Sequence, residues 1–122
     1  MVSGDHLDAV HETLTRLWHG LPAPPPERWR MFFEIAVAEV AANIIEHAVP
    51  ASMTLRLEAG TRQVAAEFMD TGRGWAGPPS AEALLDDLAE RGRGLAIARA
   101  ALDEMSYRRR GDVNRWRLVK RL

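Results

Sequence analysis

The stretch from Glu27 to Ala48 constrains this chain most. Pro24, Pro25 and Pro26 stand before it and Pro50 stands after it, so the spacing predicts one long helix over 27–48. Phe32, Phe33, Ile35, Val37, Val40, Ala41, Ile44, Ile45 and Ala48 make that helix apolar on most of its circumference. Such a helix must be covered on more than one side. A chain of 122 residues can do this with a single core, so residues 1–122 read as one domain. The exceptions on the helix are Glu39, Asn43, Glu46 and His47. At about 100° per residue they project from one narrow strip, which either faces solvent or lines a polar cavity.

The other elements follow in order. Leu7, Val10, Leu14, Leu17 and Trp18 recur at helical steps and predict a helix over 5–19, with Asp5 as its cap. His6, His11 and His19 do not have the spacing of a zinc site. Pro22 to Pro26 then form a stiff connector, so residues 1–26 are a helix with a linker and 27–122 the main body. Residues 52–58 alternate, with Met53, Leu55 and Leu57 to one side, and predict a half-buried strand. A turn over Ala59–Arg62 leads to a second strand over 63–69. Ser80 caps a short helix over 81–90, a further helix covers 94–104, and strands over 105–110 and 114–121 flank Gly111-Asp112.

Two glycine-bearing turns interrupt this frame. Asp70-Thr71-Gly72-Arg73-Gly74 ends the second strand, where glycine lets backbone come close to something bulky and the aspartate offers two acceptors. A strand-ending turn reads the same way. Arg91-Gly92-Arg93-Gly94-Leu95 runs straight into a helix, offering either a plain junction or unpaired N–H groups suited to an anion.

Composition narrows the function. With 47% hydrophobic and 27% charged residues the chain is ordinary for a globular protein. The net charge of −1 supplies no global field for nucleic acid. No apolar run reaches the length of a membrane span, and Met1–His6 does not read as a secretory signal. There is no cysteine, and the cytoplasm is the expected location. Lys120 is the single lysine, which excludes a Walker A loop.

Taken in this order, Glu39-x-x-x-Asn43, Asp70-x-Gly72-x-Gly74 and Gly92-x-Gly94-Leu95 resemble the ATP-binding domain of the superfamily of gyrase, the ninety-kilodalton heat-shock chaperone, histidine kinases and MutL. Within it, Glu39-Val-Ala-Ala-Asn43-Ile-Ile-Glu-His47-Ala48 is similar to the signature of the RsbW and SpoIIAB anti-sigma serine kinases. Asn114-Arg-Trp116-Arg-Leu118-Val-Lys120 also looks like that family's last strand, so the likeness covers residues 30–122. It implies a two-layer α/β sandwich, a mostly antiparallel sheet with helices on one face, and ATP held between helix and sheet.

The resemblance also implies roles. Asp70 would accept a hydrogen bond from the adenine amino group, with Gly72 and Gly74 keeping the backbone clear of the base. Asn43 would hold magnesium. Gly92, Arg93, Gly94 and Leu95 would form the phosphate-binding junction, and Glu39 would act as general base toward a serine or threonine hydroxyl. The implied partners are a sigma factor and an anti-sigma-factor antagonist, and the family pattern allows a homodimer. A nucleotide-binding module that sequesters a partner without phosphotransfer is the alternative. Family members usually begin with a strand, which residues 1–5 are too short to supply.

Overall fold

The computed structural model describes residues 4–47, 53–71 and 94–122. In chain order the elements are α1 (Gly4–Gly20), α2 (Glu27–His47), β1 (Met53–Ala59), β2 (Gln63–Asp70), α3 (Gly94–Ala101), β3 (Glu104–Arg110) and β4 (Val113–Arg121). The strands form a four-stranded sheet in the order β1-β2-β4-β3, and every neighbouring pair is antiparallel. Two hairpins are thus joined through their second strands. The expected α/β sandwich with an antiparallel sheet is the fold observed.

Strand alternation decides where the core sits. Val64, Ala66, Phe68 and Asp70 of β2 share one face with Asn114, Trp116 and Leu118 of β4, and all of them are buried. Met53, Leu55 and Leu57 of β1 and Met105 and Tyr107 of β3 extend that face. Phe33, Ala36, Val37, Val40, Ala41 and Ile44 of α2 cover it, together with Val10, Leu14 and Trp18 of α1 and Ala98 of α3. The opposite face carries Thr54, Arg56 and Glu58 of β1 and Arg115 and Arg117 of β4, all exposed.

The helices are fixed by specific contacts. Trp18 meets Trp29 and Phe33 edge-on at 6.2 and 6.0 Å, and Trp29 stacks on Phe33 at 5.5 Å. The Trp18 indole donates to Glu34 at 2.9 Å, which ties α1 to α2. The Trp29 indole donates to the Arg121 carbonyl at 2.8 Å, which ties α2 to β4. The connector serves α2 directly, since the Pro26 carbonyl accepts from the Arg30 N–H and the Pro25 carbonyl from the Arg30 side chain, both at 3.0 Å. Lys120 donates to the Ala101 carbonyl at 2.9 Å, and its ammonium lies 5.7 and 5.8 Å from the Trp29 and Phe32 ring centres.

Two boundaries and one burial pattern differ from expectation. The helix predicted over 94–104 ends at Ala101. Lys120 takes the Ala101 carbonyl there, and the Asp103 N–H donates to Val119, so Glu104 already belongs to the sheet. α2 is also less enclosed than its apolar circumference suggests, because Phe32 and Ile35 are each 37% exposed. α1 begins at Gly4, which places Asp5 inside the first turn.

Candidate nucleotide-binding site

The site is built on one cross-strand row. Register sets Met53, Asp70, Asn114 and Arg109 opposite one another across β1, β2, β4 and β3. Asp70 is the last residue of β2 and lies on the helix-covered face, in phase with Val64, Ala66 and Phe68. Asp70 and Asn114 are each only 2% exposed, so both polar groups need partners. Asn114 Nδ2 donates to Asp70 Oδ1 at 2.8 Å. Asn114 Oδ1 accepts from the Tyr107 hydroxyl at 2.6 Å and from Arg109 at 2.9 Å. Tyr107 is itself held against Trp116, with ring centres 4.8 Å apart. Four residues from the two strands β3 and β4 therefore position one carboxylate at the end of β2.

On α2, Glu39 and Asn43 lie one turn apart, and both are half-buried. Helical phase puts Asn43 next to Ala36, at the edge of the buried face, and Glu39 next to the exposed Phe32 and Ile35. Glu39 and Asn43 thus straddle the boundary between core and open side. α3 begins at Gly94 and packs against α2, which brings the start of that helix to the α2 layer.

Over residues 5–120 the sequence matches the family described as histidine kinase-like ATPase domain. The chain belongs to that family.

Solved structures agree on the fold. This histidine kinase-like ATPase domain superposes on the histidine kinase domain from the Erythrobacter litoralis EL346 blue-light activated histidine kinase with a TM-score of 0.65 and 19% identity, covering 93% of this chain and 59% of that one. For the Acinetobacter baumannii histidine kinase AdeS the TM-score is 0.61 at 18% identity, with 95% and 64% covered. For the catalytic domain of histidine kinase ThkA it is 0.61 at 12% identity, with 95% and 93% covered. The chain spans less than two thirds of the length of the first two. No curated protein matches the sequence.

Of the residues expected at the site, Glu39, Asn43 and Asp70 stand on described elements, and Gly94 and Leu95 open α3. Gly72, Gly74, Gly92 and Arg93 lie outside the described residues, as does the helix expected over 81–90. Among the described residues no group of three or more His, Asp and Glu side chains is placed to hold a metal ion. Magnesium bound through one protein ligand and substrate phosphates needs no such cage. The roles of Asn114, Tyr107 and Arg109 were not read from sequence. The available signal was parity: Asn114 falls in step with Trp116 and Leu118 on an alternating strand, and a polar residue in an inward position asks for a partner.

Proposed function

We propose that this ATPase domain binds ATP with magnesium between α2 and the sheet and is a serine/threonine protein kinase of the anti-sigma type. It would bind a sigma factor in one state and phosphorylate an anti-sigma-factor antagonist in the other. The observation that carries the nucleotide reading is the buried Asp70 carboxylate, oriented by Asn114 at the end of β2. A fixed acceptor suits the adenine amino group and disfavours the carbonyl of guanine. Asn43 would hold magnesium, and the ion, when bound, offsets negative charge on the phosphates.

The kinase reading rests on the placing of Glu39. It borders the open side of α2, where a hydroxyl from another protein can approach. Glu39 would take the hydroxyl proton as the serine or threonine oxygen bonds to the γ-phosphorus. The bond from that phosphorus to the β-phosphate oxygen breaks, and ADP leaves.

Two variants test the two halves separately. Saturating ATP and magnesium should raise the unfolding temperature, since a ligand at 100 times its Kd adds about 2.7 kcal/mol. Asp70→Ala should abolish that shift, and retained ATP affinity in this variant would overturn the site. Glu39→Gln should keep the shift and lose about 10²–10⁴-fold in transfer of labelled phosphate to an antagonist. If wild type binds ATP yet moves no label, the chain sequesters its partner without phosphotransfer.

A further inference from the structure

The outer face of the sheet has an uneven charge. Register sets Arg108 of β3 directly opposite Arg115 of β4, with Met69 of β2 on the other side of Arg115. Arg110 lies on the same face, next to the hairpin turn. All three arginines are exposed, and among the described residues none has a carboxylate within ion-pair distance. Arg117, one step further along β4, already has Glu67 at 4.0 Å. Like charges directly opposite on neighbouring strands destabilise a sheet. No ion pair among the described residues offsets that cost.

Edge protection explains only part of this arrangement. β3 is an edge strand, and charge there discourages pairing with another chain. β4 is an interior strand, however, so Arg115 guards no edge and only adds repulsion to Arg108. We propose that the outer face of the β3–β4 hairpin is a docking surface for an acidic segment of a protein partner. Guanidinium groups pair with carboxylates in two-pronged fashion. Half-buried Met69 gives the basic cluster an adaptable apolar neighbour. A nucleic-acid backbone fits less well, because Glu58, Glu67 and Glu104 occupy the same face and the whole chain carries a net charge of −1.

The test uses a fluorescein-labelled deca-glutamate peptide and anisotropy at low salt. Wild type should bind it saturably and should not bind deca-glutamine. Arg108→Gln/Arg115→Gln should weaken binding about tenfold, in line with charge pairs worth up to about 1 kcal/mol each. Arg16→Gln/Arg62→Gln removes the same charge elsewhere and should leave binding unchanged. The hairpin variant relieves repulsion, so its unfolding temperature should equal or exceed that of wild type, which separates lost binding from lost folding. Equal weakening in both double variants, no saturable binding, or a lowered unfolding temperature in the hairpin variant would each overturn the proposal. So would tighter binding to a short DNA duplex or to phosphatidylserine vesicles than to the peptide.

Discussion

Asn114 has one amide and three neighbours, and these fix which way the amide points. Its oxygen receives Tyr107 and Arg109, so its NH₂ must face Asp70. The flipped amide would set N–H groups against a guanidinium and an oxygen against a carboxylate. Asn114→Asp keeps the shape and still accepts from Tyr107 and Arg109, but it turns an acceptor toward Asp70. The expected cost is about 1–3 kcal/mol in urea unfolding, with a weaker ATP-induced thermal shift. Asp70 was legible in the sequence because a carboxylate before a glycine turn is a local pattern. The Asn114 bond spans 44 residues and depends on register between β2 and β4, which no local pattern carries.

Among the elements, the β3–β4 hairpin is the most locally determined. Arg110 pairs with Val113, leaving Gly111-Asp112 as a two-residue turn. Gly111 has φ of 59° and is the sole positive-φ residue described, the pattern of a type II′ turn. A Cβ there meets no atom within 4 Å, so Gly111→Ala is opposed by backbone strain alone. The expected loss is about 1–2 kcal/mol by chemical denaturation. Both glycine and turn were readable from Gly111-Asp112. The end of α3 was not, because the group that takes its carbonyl is Lys120, nineteen residues on. The open side of α2 was hidden for a related reason, since apolar content shows how much of a helix prefers cover and not how much the neighbours supply.

At the scale of the molecule, one seam joins the first helix to the rest. Val10, Leu14 and Trp18 enter the same core as Phe33 and Phe68, so α1 is part of the domain's packing. Trp18 is 5% exposed and touches both Trp29 and Phe33. Trp18→Ala should therefore cost about 3–5 kcal/mol in cooperative unfolding of the whole domain. A small local loss confined to α1 would show instead that the helix folds apart from the sheet. The order of elements and the helix-covered sheet were legible because periodicities of 3.6 and 2 mark each segment. The strand order was less so, since β4 reaches β2 across the chain. Lys120 carries one further consequence. As the single lysine in the sequence, it is the one side-chain amine that an acylating reagent or crosslinker can find. Its nitrogen is occupied by the last carbonyl of α3, so the rate of acylation becomes a clock for the separation of that helix from the sheet.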